Sequence, residues 1–320
     1  MTETTSATRL TPSVARGLPL GRKLDEGVRL FRLYRAEARA DQDLEWLFDE
    51  VAEYRQLLMR HSGIDLENAS VFEIGFGARP YRQIILQSMG IDVRGVDAEA
   101  PLLPGRPSQF IEMLRRNGVE RAAKTLVRHG FFDRREQRLL ERGLRRRGLA
   151  RRLDPERLTV ADAGRLELRP ASLDLIFSED VFEHMERATL ERVVALMATW
   201  LKPGGLALAR PNVFTGITGG HLIEWSRRAL RLPPSVRRSE PWEHLRGRRF
   251  APNTYINELT RADYRTLFAT QFEILEERVA QPDLGREYFD ARARAELRGW
   301  PDGELFSNQT LFVLRPHGAP

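Results

Sequence analysis

Val71-Phe72-Glu73-Ile74-Gly75-Phe76-Gly77-Ala78-Arg79 is the stretch whose reading decides the fold. The β-branched and aromatic Val71, Phe72 and Ile74 predict a buried central strand. Gly75 and Gly77 then permit backbone angles closed to other residues and let the main chain approach a ligand closely. Pro80 stands where a helix tolerates proline, and Ile84, Ile85, Leu86 and Met89 predict that helix as far as Gly90. Residues 91–96 predict a second strand, with Asp97 at its end. Strand, glycine turn, helix, strand and acid make a βαβ unit, which favours a parallel sheet with ligand at the strands' C-terminal ends. A Gly-x-Gly by itself fits many tight turns. Asp97 adds more, because it lies about twenty residues beyond the glycines, the distance at which an acid meets ribose hydroxyls.

Upstream, residues 24–61 carry apolar side chains at helical spacing, including Leu47, Phe48, Val51, Tyr54, Leu57 and Leu58, and Gly63 closes the unit. Downstream, residues 101–157 break the βα rhythm with a helical, arginine-rich insertion. An insertion of that length within a compact sheet domain usually serves as a lid or substrate wall. The sheet resumes at residues 158–160, and Leu173-Asp174-Leu175-Ile176-Phe177 predicts a further buried strand. That strand runs into Ser178-Glu179-Asp180-Val181-Phe182-Glu183-His184-Met185. A helix follows over residues 188–201, then a sharp Lys202-Pro203-Gly204-Gly205 turn, then a strand over residues 206–209. Residues 211–259 form a second excursion, on the substrate side. A helix over residues 261–268 and strands at 272–275 and 310–314 complete the pattern. The expected organisation is a polar tail over residues 1–20, a helical cap over 21–66 and one main domain over 67–320 containing both insertions.

The 320 residues are 42% hydrophobic and 30% charged, an ordinary globular balance. There is no cysteine, so disulfides, a thiolate nucleophile and sulfur-based zinc sites are excluded. The net charge is +6 and the pI about 10.0. The excess is nearly all arginine, with lysine only at positions 23, 124 and 202, and such a skew does not by itself argue for nucleic acid. No stretch has the unbroken apolar length of a membrane span and the tail has no apolar signal core, so a cytoplasmic protein is expected.

Four motifs agree in order and spacing: Glu73-Ile74-Gly75-Phe76-Gly77, Asp97, Ala161-Asp162-Ala163, and residues 173–185 followed by Leu201-Lys202-Pro203-Gly204-Gly205. In these the chain resembles the class I S-adenosylmethionine (SAM)-dependent methyltransferases, of the bacterial type acting on small molecules. The resemblance implies an α/β fold, a Rossmann-like, mostly parallel sheet of seven strands with helices on both faces. It also implies SAM as cofactor and S-adenosylhomocysteine as product. By the same resemblance Gly75 and Gly77 pass close to the methionine part of SAM, and Glu73 fixes the loop and the amino group. Asp97 accepts the ribose hydroxyls, Asp162 and Ala163 meet the adenine, and Ser178 and Glu179 lie beside the sulfonium. Ala78-Arg79-Pro80 stands where some relatives carry a third glycine.

Methyl transfer needs an aligned nucleophile and, for a hydroxyl acceptor, a base near neutral pKa, for which histidine is suited. His184, after the fourth strand, and His221, in the second insertion, are the candidate catalytic residues. Trp225, Trp242 and His244 are candidate substrate contacts, able to stack on or hydrogen-bond an acceptor. Asp180, Glu183 and His184 have i, i+3, i+4 spacing that could converge on a divalent cation if the turn is helical. Acids at a helix start are common without metal, and no metal site is assigned. The expected activity is transfer to a small-molecule hydroxyl on a glycan or secondary metabolite. The alternatives are an RNA methyltransferase using the arginine-rich insertion, or a non-catalytic SAM-binding partner. Nothing in the sequence sets the oligomeric state.

Overall fold

Alternation of apolar side chains along short strands, punctuated by glycine and proline, produces the layered architecture of the computed structural model. It describes residues 28, 44–101, 133–226, 229–231, 237, 239–246 and 255–318. The elements that position the site are α1 (Glu45–Ser62), β1 (Ser70–Ile74), α2 (Tyr81–Ser88), β2 (Asp92–Asp97), α3 (Arg134–Arg146), β3 (Leu158–Val160) and β4 (Leu173–Glu179). They continue with α4 (Arg187–Trp200), β5 (Leu201–Arg210), α5 (Glu243–Arg246), α6 (Arg261–Phe268), β6 (Phe272–Val279), α7 (Ala291–Glu296), α8 (Asp302–Leu305) and β7 (Thr310–Pro316). The strands form one seven-stranded sheet in the order β3-β2-β1-β4-β5-β7-β6. From β3 to β5 all neighbours are parallel, and β7 lies antiparallel between β5 and β6. This is the Rossmann-like, mostly parallel sheet that the sequence predicts.

The period-two alternation of strand side chains divides the core into two layers. On one face Leu175, Phe177, Leu206 and Leu208 pack against α1, α2 and α3. On the other, Ile176, Ala207 and Ala209 pack against α4 and α6 through Val193, Val194, Met197 and Phe268. A third apolar cluster, outside the sheet, joins the second insertion to the segment before β7 through Ile217, Trp225, Trp242, Leu297 and Phe306. Helix α1 ends as its sequence requires, with Gly63 at φ +67° and its N–H donated to the Met59 carbonyl at 3.0 Å.

Two local features differ from the expectation. Lys202-Pro203-Gly204-Gly205 is not a turn ahead of a strand but an outward bulge inside β5. Leu173 faces Leu201 and Leu175 faces Leu206, so two steps on β4 match five on β5. Gly204 at φ +81° makes the reversal, and Lys202 Nζ folds back onto Asp174 Oδ2 at 2.7 Å. The turn after β4 is a single 3₁₀ turn, Phe182–His184, because Asp180 sits at φ +54° and breaks the chain direction before a longer helix can start.

The reading of the cap over residues 21–43, apart from Val28, lies outside the described residues, as does the part of the first insertion over 102–132. No helix among the described residues is long and apolar enough to cross a membrane. A groove of about 540 Å³ lined by Gln87, Ile91, Arg152 and Arg157 lies at the N-terminal ends of β2 and β3. It is therefore at the end of the sheet opposite the glycine turn.

Candidate functional site

The glycine turn leaves β1 at the C-terminal edge of the sheet, with Gly75 at φ +87° and Gly77 at φ +67°. Two different reasons keep these positions small. A Cβ on Gly75 would fall 2.1 Å from Val181 Cγ2, so the turn after β4 is packed directly on the glycine turn. A Cβ on Gly77 would meet nothing within 4 Å, so it would project into open space. Asp97, at the end of β2, accepts from Gly77 N–H at 2.7 Å and from Glu99 N–H at 2.8 Å. A carboxylate offers about four acceptor positions, more than these two backbone donors use. Arg79, whose use the sequence leaves open, pairs with Glu136 and lies 3.8 Å from Asp133, tying the turn to α3.

Glu73 sits buried beneath the turn and accepts from Gln83 Nε2 at 2.9 Å. Burial pushes its carboxyl up to about 7, opposed by the Arg82 guanidinium and the Gln83 bond. Between about pH 4.5 and 7 the folded chain therefore holds a proton that the unfolded chain releases. Stability falls as pH rises through that window and loses nothing more above it. Glu73→Gln removes this dependence. Urea unfolding at about pH 5 and about pH 8 should show the wild-type difference shrink by about 3 kcal/mol, and an unchanged difference would show that Glu73 ionises normally.

Asp162 and Ala163 follow β3. Asp162 Oδ1 accepts from Gly164 N–H at 2.8 Å and its side chain is 44% exposed, while Ala163 is buried. Ser178 is buried, and its Oγ has no hydrogen-bond partner among the described residues. Glu179 points to the face covered by α1. There it accepts from Tyr54 Oη at 2.7 Å and lies 3.5 Å from Arg210 Nε, and Arg210 also pairs with Glu50 and Glu53. Burial pushes Glu179 up to about 8, against the opposing pull of Arg210. Tyr54 and Arg210 are functional-site neighbours that the sequence reading did not single out; Tyr54 was read only as part of an apolar helix face.

These residues fit SAM. The open space at Gly77, the carboxylates of Asp97 and Asp162, and the unsatisfied Ser178 hydroxyl lie at the C-terminal ends of adjacent strands.

The third group comes from the two turns beside Val181. Glu183, His184 and His221 bring one carboxylate oxygen and two imidazole nitrogens within 4.8 Å of one another. Glu183 Oε1 is 4.0 Å from His184 Nε2 and 3.9 Å from His221 Nε2, and the two rings meet edge to face with centroids 4.8 Å apart. His184 Nδ1 lies 3.0 Å from the Tyr255 carbonyl, which can only accept, so the ring proton is at Nδ1 and Nε2 is an acceptor. His221, at φ +50°, takes the amide of Asn212 on its Nε2 at 3.2 Å, and Thr218 Oγ1 orients that amide through its oxygen at 2.8 Å. Burial, then the neighbouring His184, lowers His221 to about 4, so it is neutral at physiological pH. Asn257 holds the 3₁₀ turn, donating to the Phe182 carbonyl at 2.7 Å and the Met185 carbonyl at 3.1 Å. Nothing in the sequence around Asn257 marked it for that task.

Trp225, Trp242 and His244 are not brought to this group. They are 3%, 0% and 2% exposed, so in this structure none of them offers a surface to a ligand. The two indoles fill the third apolar cluster. His244 Nε2 lies 2.8 Å from the Phe214 carbonyl, its ring backs Gly220, and burial lowers it to about 4. Asp180, expected to share a helix face with Glu183 and His184, is instead held by Gln309 Nε2.

Residues 137–209, from α3 to the end of β5, match the family described as methyltransferase domain. Similar solved structures include a protein from Pyrococcus horikoshii OT3, 14% identical, over 86% of this chain and 93% of that chain, with a TM-score of 0.44. An S-adenosylmethionine dependent methyltransferase from Mesorhizobium loti is 16% identical over 78% and 92%, with a TM-score of 0.41. Geranyl diphosphate C-methyltransferase from Streptomyces coelicolor A3(2), in complex with Mg²⁺, geranyl-S-thiolodiphosphate and S-adenosyl-L-homocysteine, is 14% identical over 83% and 76%, with a TM-score of 0.42. Likenesses this distant say nothing of an acceptor. No curated protein sequence matches the chain significantly.

Proposed function

We propose that the chain, whose residues 137–209 match a methyltransferase domain family, is a SAM-dependent methyltransferase that methylates a hydroxyl of a small-molecule acceptor seated against His184 and His221. The observation that carries this reading is the pair of acceptor-type imidazole nitrogens beside a buried carboxylate, on a turn packed directly onto the glycine turn. When bound, SAM supplies a methyl group on a cationic sulfur, whose leaving power makes further activation of the carbon unnecessary. Glu73, Gly75, Gly77, Asp97, Asp162, Ala163 and Ser178 are the residues proposed to hold it.

The chain's own contribution is to place the acceptor hydroxyl in line and to receive its proton. His184 is suited to that receipt. Its tautomer in the neutral ring is set by the Tyr255 carbonyl, and Glu183 Oε1 lies 4.0 Å from its Nε2. Glu179 does not reach the acceptor in this arrangement. Its bonds to Tyr54 and Arg210 make it a support for the end of β4. The third cluster, with Trp225 and Trp242, serves as the wall that holds the His221 turn. A hydroxyl is favoured over a more nucleophilic amine because a proton acceptor stands at the site, which an amine does not require to the same degree.

His184→Gln should lower kcat about 10²- to 10⁴-fold on a hydroxyl acceptor, the range for losing a positioned proton acceptor, with SAM affinity unchanged. Screening purified protein with SAM against phenols, sugars, hydroxy acids, amines and RNA reads the acceptor class. Product on amines or RNA alone would overturn the hydroxyl reading.

A further inference from the structure

A carboxylate that is buried with neither oxygen hydrogen-bonded is costly, because desolvation is uncompensated. Glu183 is 1% exposed, and neither Oε1 nor Oε2 completes a hydrogen bond among the described residues. The backbone N–H groups of Glu183 and Asn212 lie near it without completing a hydrogen bond. The two side chains nearest to it in the cluster are neutral-capable imidazoles with acceptor nitrogens turned inward. One carboxyl oxygen and two imidazole nitrogens converging on one point, with no cationic Lys or Arg among the three, are the donor set of a metal ion, which displaces the carboxyl proton as it binds.

We propose that Glu183, His184 and His221 bind one divalent first-row transition cation. The donor set is one oxygen and two imidazole nitrogens, which suits Zn²⁺, Fe²⁺, Co²⁺ or Ni²⁺, whereas Mg²⁺ and Ca²⁺ take oxygen ligands. Ligand atoms of a tetrahedral site with bonds of about 2.1 Å stand about 3.4 Å apart. The 3.9 and 4.0 Å separations here therefore need to close by about half an ångström, and the third, no more than 4.8 Å, by at most about 1.4 Å. The outer contacts are those that metal-binding histidines need: His184 Nδ1 is fixed on a carbonyl, which orients Nε2. At His221 the cation replaces the Asn212 amide on Nε2, so that bond is the competitor binding must displace.

Three protein ligands leave coordination positions open, as in catalytic rather than structural sites. The cluster is open on the histidine side, with His184 33% and His221 20% exposed against 1% for Glu183. An acceptor hydroxyl entering there would meet the cation, which would lower its pKa and let its proton pass to solvent water, so the cation would replace a free imidazole in that role. Only this last consequence rests on the hydroxyl-transfer reading; the cation site stands on the cluster alone.

The test uses the full chain, stripped with a chelator and titrated with Co²⁺ alone, followed by calorimetry and by visible absorption. Expected are one bound equivalent and a ligand-field band, with affinity falling about 100-fold or more in Glu183→Gln and His221→Gln. Each variant is checked by its SAM affinity, which folding requires to be intact. If Glu183→Gln does not fold, His184→Gln at the half-open side reads the same prediction. No Co²⁺ retained by the wild-type chain, or affinity within about threefold in the variants, overturns the site. Cation binding with methylation only of amines or RNA would keep the site and overturn the acceptor reading, so the two failures are distinguishable.

Discussion

Asp97→Ala should weaken SAM binding about 100-fold or more, measured by calorimetry on protein whose unfolding curve shows it folded. The expectation has two sources. The carboxylate organises the glycine turn by accepting from Gly77 and Glu99 N–H groups, and in the proposed cofactor site it also accepts from two ribose hydroxyls. Hydrogen bonds to an ionised carboxylate contribute about 1.5–3 kcal/mol each, so two lost contacts exceed the 2.7 kcal/mol or so that correspond to 100-fold. Asp97→Asn should fall between, because an amide keeps one accepting oxygen and turns a donor toward a backbone N–H. SAM affinity within about threefold of wild type in Asp97→Ala would remove Asp97 from the cofactor site.

Gly75→Ala should lower stability by about 3 kcal/mol and the melting temperature by about 6 °C or more, read by urea and thermal unfolding. A left-handed backbone costs a non-glycine residue about 1–2 kcal/mol, and the new methyl group would collide with Val181 at 2.1 Å. Val181→Ala in the same chain should restore the part due to the collision and leave the backbone part, a positive coupling in the double-mutant cycle. Gly77→Ala separates the two causes. Its backbone is also left-handed but its Cβ meets nothing, so stability should fall by only about 1 kcal/mol. If the open space is where SAM lies, Gly77→Ala should cost affinity well beyond that stability loss. Equal stability losses in the two variants would mean that Val181 is not a rigid neighbour.

The βαβ unit and the succession of strands were legible because their signals are local and periodic. Apolar strands alternate or run continuously, glycine and proline mark the turns, and Asp97 falls at a spacing set by one helix and one strand. The proposed cofactor residues Glu73, Gly77 and Asp97 could be named for the same reason, since they lie within one such unit. The acceptor side was not. Glu183 and His221 are far apart in sequence and meet only because the 3₁₀ turn after β4 and the loop after β5 end at the same sheet edge. No periodicity encodes that meeting. Asp180 shows the opposite failure: its i, i+3 spacing to Glu183 suggested a shared helix face, and a left-handed backbone at Asp180 prevents the helix. Trp225 and Trp242 were read as possible stacking surfaces because aromatic residues in an insertion suggest a pocket. Their burial with Leu297 and Phe306, which come from a segment more than fifty residues later, could not be foreseen from local pattern.

The packing of α1 has a consequence for the order in which the protein assembles during synthesis. Its partners are remote: Tyr54 meets Glu179 across 125 residues, Arg60 meets Glu276 across 216, and the His61 carbonyl receives Arg315 across 254. Helix α1 leaves the ribosome before every strand it covers, yet its contacts to Glu276 and Arg315 cannot close until β6 and β7 have emerged. Loop closure over such distances must precede any reward from contact, which slows folding. The earliest of these helices to be made is thus the last to be seated, and until then the apolar face of β1, β4 and β5 that it covers stays open to chaperones and to neighbouring chains.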